Sequence, residues 1–108
     1  MKLIIAIIHD EDNRKVMDAL NENGFSVTKL CSTGGFLKAG NTTLLIGVDE
    51  DKVQEVISII EKKSKMRKQM INSTPYNTAG IPIMIEPVEI TIGGATIFVT
   101  DVERFEKV

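Results

Sequence analysis

The sequence predicts an α+β domain in which two helices cover one face of an antiparallel sheet. Three observations predict it. Apolar runs of strand length are interleaved with two stretches whose apolar residues recur at helical spacing. The runs Leu3–Ile8 and Leu44–Ile46 are apolar at consecutive positions, as strands buried on both faces are. The length, 108 residues, suits one hydrophobic core and is too short for two.

Each element follows in order. Lys2 to His9 reads as the first strand. Asp10 or Asp12 is placed to cap a helix running to about Glu22, with Val16, Met17 and Leu20 as its apolar stripe and Asn23-Gly24 as its left-handed stop. Phe25 to Thr33 reads as a second strand, with Phe25, Val27 and Lys29 alternating against Ser26, Thr28 and Leu30. Thr42 to Val48 is a third strand. Asp49, Glu50 and Asp51 then put acids where a helix N-terminus favours them, and Val53, Val56, Ile57 and Ile60 carry a second helix to about Lys65.

From Met66 to Pro87 the pattern is lost, and all three prolines fall there, which predicts a long mobile loop. "VEITIGGATIFVT" alternates on both sides of Gly93-Gly94 and predicts a hairpin with a two-residue turn. Asp101 to Phe105 is expected to add a short helical turn. The order is β-α-β-β-α-β plus one extra C-terminal strand, a ferredoxin-like arrangement in a single domain spanning residues 1–108. Two helices cover only one face of such a sheet. The second apolar face is therefore expected to be buried by other copies of the chain in a closed ring, with Ile5, Ile7 and Leu45 contributing.

Composition narrows the function. Apolar residues make up 43% and charged residues 26%, a globular balance, and the net charge of −2 lacks the basic excess that a nucleic-acid partner needs. The N-terminal apolar run is too short to span a membrane and lacks a signal-peptide cleavage region, and the one cysteine, Cys31, forms no intrachain disulfide. A cytoplasmic protein without membrane insertion is expected. One histidine and one cysteine cannot assemble a zinc-like ligand set. Acids at the helix starts are explained by capping, and the basic stretch "KKSKMRK" reads as a solvated helix end. Neither catalysis nor a metal or cofactor is expected.

One segment asks for more. "STGGFLKAGNTTLLIGV", Ser32 to Val48, sets four glycines, four hydroxyls and an asparagine around Phe36-Leu37. A hairpin turn accounts for Gly34 and Gly35 alone, since glycine reaches positive φ freely. A cleft for a polar ligand accounts for the rest, and Gly47 supports it, because a glycine inside an apolar strand marks a bulge or a close approach. Thr28, Asn41 and Thr43 supply polar groups nearby. On the residues alone both readings stand.

"MKLIIAIIHDED", "FSVTKLCSTGGFLKAGNTTLLIGVDEDKV" and "PVEITIGGATIFVTDVERF" together resemble the PII-like cyclic di-AMP receptors, the DarA/PstA family, over essentially the whole chain. The resemblance implies a PII-like homotrimer without enzymatic activity that binds the second messenger cyclic di-AMP between adjacent subunits. It implies that Phe36, Leu37 and Phe98 wall the adenines, and that the backbone at Gly35 to Leu37 and at Gly47 reads their edges. Thr28 and Asn41 then help hold the sugar-phosphate ring, while Gly93 and Gly94 allow close approach from the opposing side. A downstream protein partner is implied but not named. The chain departs from relatives at Ser26, where an arginine contact to phosphate is absent, and at Val108, which offers no side-chain amide. The alternative is a PII-like sensor of ATP or ADP, against which the short Gly34–Gly40 turn argues. A small enzyme of the same superfold is a third reading, disfavoured by the shortage of reactive groups.

Overall fold

The computed structural model describes residues 1–30, 40–71 and 88–108. Its centre is β1 (Lys2–His9), which pairs antiparallel with β3 (Asn41–Val48) on one side and with β6 (Ala95–Asp101) on the other. A short β2 (Thr28–Leu30) lies beyond β3, giving the order β2-β3-β1-β6. This is the strand order of a ferredoxin-like sheet. Two helices, α1 (Asp10–Glu22) and α2 (Val53–Ser64), the second preceded by a 3₁₀ turn over Glu50–Lys52, pack on one face.

Strand parity decides which residues they cover. Ile4, Ala6 and Ile8 of β1 and Leu44, Ile46 and Val48 of β3 meet Val16 and Leu20 of α1 and Val56 and Ile60 of α2 in one buried cluster. Ala6 apart, each such side chain withdrawn from water stabilises the fold by about 1.5–3 kcal/mol. Helix α1 stops as its sequence suggests. Gly24 takes a φ of +84°, and the N–H of Phe25 closes on the Leu20 carbonyl at 2.9 Å.

Several expectations are corrected. The N-cap position of α1 is His9, with no side-chain capping bond. Asp10 instead accepts from the Thr42 hydroxyl, and Asp12 from Arg67. Asp101 to Phe105 forms no helical turn; β6 runs through Asp101, and the Val102 N–H then donates to the Met1 carbonyl at 3.1 Å.

Residues flanking Gly93-Gly94 do not pair with each other. A two-stranded ribbon forms between β4 (Arg67–Ile71) and β5 (Val88–Ile92), in register from Arg67↔Ile92 to Ile71↔Val88, while β6 joins the main sheet. The last strand is thus the fourth strand of the sheet, not an addition to it. The surplus is the ribbon inserted before it. Residues 67–71, expected within the long loop, are strand, and residues 72–87 lie outside the described residues.

The corner at Gly93-Gly94 explains the rerouting. Both glycines have positive φ, +84° and +87°, and the Gly94 N–H donates to the Ser64 carbonyl at the end of α2. Pinned there, the chain sends β5 back along β4, which directly follows α2. Ile97 meanwhile packs against the core, which favours β6 beside β1.

Candidate functional site

The face opposite the helices carries most of the described candidate residues. Antiparallel partners share a face, so registers can be read across the sheet as rows. Thr28, Leu45, Ile5 and Phe98 form one row. Leu30, Thr43, Ile7 and Thr96 form the next, and His9 and Asn41 pair beyond it. On the other side Gly47, Leu3 and Thr100 make a further row. Thr28, Asn41, Gly47 and Phe98 therefore all stand on one side of the sheet.

Their exposure fits an unfinished surface. Thr28, Gly47, Thr96 and Thr100 are exposed, Leu3, Ile5, Ile7 and Leu45 are half-buried, and Phe98 is 55% exposed on the edge strand β6. The ladder through Gly47 is continuous, with Leu3 opposite it, so the glycine marks no bulge. A Cβ built there would meet only the Met1 Cε at 3.8 Å. What a side chain at 47 would obstruct is thus not found among the described residues of one chain.

At the His9 end of this face lies a cleft of about 260 Å³. His9, Asn41 and Thr96 line it from the sheet, and Gly93, Gly94 and Met66 from the corner. Asn41, Gly93 and Gly94 are thereby brought together. Thr28, Gly47 and Phe98 share the face but not the cleft. Gly35, Phe36 and Leu37 lie outside the described residues. A second cleft of about 380 Å³, lined by Ile57, Glu61 and Ile97, adjoins the first at Met66 and Gly94.

The cleft's walls are held electrostatically. Asp12 is fully buried and accepts from Arg67 Nη2 at 2.9 Å and Nη1 at 3.3 Å. That hydrogen-bonded carboxylate holds the guanidinium above its ordinary pKa, with Glu11 adding a weaker attraction at 3.9 Å. A Cβ on Gly93 would fall 2.6 Å from the Lys65 carbonyl oxygen and 2.8 Å from Arg67 Nη1, so only glycine seats the backbone this close. At the far end of β1, Lys2 bonds to Asp101 directly across the strands.

Sequence reasoning missed His9, Met66 and Thr96 as cleft residues, and it missed the Asp12–Arg67 pair. Strand parity alone places His9 beside Asn41 once β1 and β3 are known to pair in this register. No local signal joins Asp12 to a residue 55 positions away. Among the described residues no group of three or more His, Cys, Asp or Glu side chains is arranged to hold a metal ion, and no helix is long and apolar enough to cross a membrane.

Comparison with known proteins bears on this geometry. The family model described as "Cyclic-di-AMP receptor" matches residues 1–108. Among solved structures, a functionally unknown protein from Pediococcus pentosaceus ATCC 25745 superposes with a TM-score of 0.76 at 39% sequence identity, over 99% of this chain and 96% of that one.

Proposed function

Because the chain belongs to the cyclic-di-AMP receptor family, matched over residues 1–108, we propose that it binds cyclic di-AMP at clefts between the subunits of a cytoplasmic homotrimer and relays occupancy to a protein partner. It is a binding protein in this reading, with no catalytic step and no cofactor. The observation that carries it is the gathering of Thr28, Asn41, Gly47 and Phe98 on the sheet face that the helices leave uncovered. Phe98 offers a flat apolar wall to an adenine, and Phe36 and Leu37 are the further apolar residues assigned to the adenines in this reading. Gly47 presents bare backbone to a base edge. Asn41 and Thr28 hold the sugar-phosphate ring, and Gly93 and Gly94 admit it closely.

A shared site suits the spacing. Asn41 and Gly47 are six residues apart on one strand, about 20 Å at the usual rise. Contacts spread over that length are most economically completed by the surface of a second copy. The ligand offers two large π-faces and only two charges, so its bases should dominate recognition over its phosphates.

Calorimetric titration tests the assignment, with cyclic di-AMP, cyclic di-GMP, ATP and AMP compared on the same preparation. Cyclic di-AMP is expected to bind tightest. Tighter binding of ATP would replace this reading with the nucleotide-sensor alternative. Base stacking on an aromatic contributes about 1–3 kcal/mol, so Phe98→Ala is expected to weaken binding roughly ten- to a hundred-fold while the subunit stays folded. An unchanged dissociation constant for a folded Phe98→Ala trimer removes Phe98 from the site.

A further inference from the structure

The first turn of α1 is bonded to residues that flank the cleft on both sides. On the Asn41 side, the Asp10 N–H donates to the Gly40 carbonyl at 2.8 Å, and the Asp10 carboxylate accepts from the Thr42 hydroxyl. On the Gly93 side, Asp12 holds Arg67 by two bonds, and Arg67 Nη1 also donates to the Lys65 carbonyl at 3.2 Å. His9, which lines the cleft, directly precedes this turn.

Favourable alignment with the helix dipole accounts for acids in a first turn, but not for one with no solvent exposure. A buried carboxylate is costly unless it is paired and hydrogen-bonded. Asp12 takes both of its hydrogen bonds from Arg67, the first residue of β4, while the Lys15 ammonium stands farther off at 4.0 Å. A guanidinium held at both nitrogens has a fixed plane. A Cβ on Gly93 would fall 2.8 Å from Arg67 Nη1, so no side chain fits beside the guanidinium, and Gly93 and Asn41 both line the cleft. Cleft, arginine, buried acid and ribbon thus form one chain of direct contacts.

We propose that Asp12 is a positioning residue for the ligand: through Arg67 it sets the Gly93–Gly94 corner against Asn41, and through the same pair it couples occupancy of the cleft to the β4–β5 ribbon. The inference rests on the receptor reading above. Coupling of this kind is reciprocal, so whatever fixes the ribbon also tightens the cleft.

The test titrates cyclic di-AMP into the unmodified chain, Asp12→Asn, Arg67→Gln and the double variant, each well below its own unfolding midpoint. Each single variant is expected to weaken binding about tenfold, and the double variant no further than the worse single, because the two residues act as one unit. A pair that serves stability alone lowers the unfolding midpoint and leaves the dissociation constant of the folded protein unchanged; that result overturns the proposal. Should the variants fail to fold, nuclear magnetic resonance of the unmodified chain decides. The Arg67 Nε and β4 amide signals are expected to shift as cyclic di-AMP saturates the protein. Signals that stay in place while the ligand binds overturn the inference and leave the receptor reading intact. No binding at all by the unmodified chain overturns both.

Discussion

Gly93 and Gly94 share a backbone conformation, with φ of +84° and +87°, but not their surroundings. A methyl group on Gly94 would touch only Met66, whose Cε lies at 3.7 Å and can move aside. A methyl group on Gly93 would press on the Lys65 and Ser64 carbonyl oxygens at 2.6 and 3.1 Å and on Arg67. Gly94→Ala is therefore expected to cost about 1–2 kcal/mol, the strain of a left-handed L-residue. Gly93→Ala adds overpacking and should cost about 1–3 kcal/mol more. Urea denaturation of the two variants measures the difference, and equal costs would mean that the corner yields easily. Glycine chemistry made this pair legible as a turn. What it turns between was not legible, because that depends on carbonyls nearly thirty residues earlier in the chain.

Among the elements, those with a buried face were readable and those without were not. Helices α1 and α2 each place an apolar stripe on the core, so their spacing, and the Asn23-Gly24 stop, can be read from the residues alone. In ribbon strand β4 no described side chain from Arg67 to Met70 is buried; Met70 is 60% exposed, and the sequence there reads as part of a patternless loop. Strands β5 and β6 were recognised as strands but given the wrong partners, since alternation records a face and not a neighbour. Of the candidates on the outer face, Thr28, Asn41 and Gly47 are legible from residue type and Phe98 only from family resemblance, and the registers gather all four; Gly35, Phe36 and Leu37 lie outside the described residues. The edge pairing of β6 makes a prediction of its own. Its hydrogen bond from Lys2 holds the Asp101 carboxyl below the usual carboxylate range, and the same bond raises Lys2. The lowered acid contributes stability that is present above the ordinary aspartate pKa and lost as pH falls through the depressed value. The raised lysine contributes stability that is present below its ordinary pKa and lost as pH rises through the elevated one. Asp101→Asn is thus expected to lower the unfolding midpoint slightly at neutral pH. Both strong acid and high salt should erase the difference, since the pair is exposed and screened. A difference that persists in strong acid would assign the effect to something other than this ion pair.

For the molecule as a whole, the decisive feature is that β1 is apolar on both faces while helices cover only one. Ile4, Ala6 and Ile8 face the helices and are buried, whereas Leu3, Ile5 and Ile7 are only half-covered within the chain. Leu45 and Phe98 flank Ile5 in the same row, which gives a contiguous apolar band across the centre of the outer face. Such a band on an isolated subunit is the kind of surface that closed assemblies bury. The two sides of β1 should then fail differently when charged. Ile4→Lys puts an unpaired ammonium into the core and is expected to prevent folding. Ile5→Lys leaves the core intact and is expected to give a folded monomer, because three copies would have to bury their added charges together. Light scattering and circular dichroism at micromolar concentration separate these outcomes. The unmodified chain should scatter with three times the mass of one subunit, with or without cyclic di-AMP, and Ile5→Lys with the mass of one. A monomeric mass for the unmodified chain would mean that the band is not an assembly surface. The site would then have to be completed within one subunit, and Phe98 would lose the neighbouring copy that is proposed to enclose its ligand.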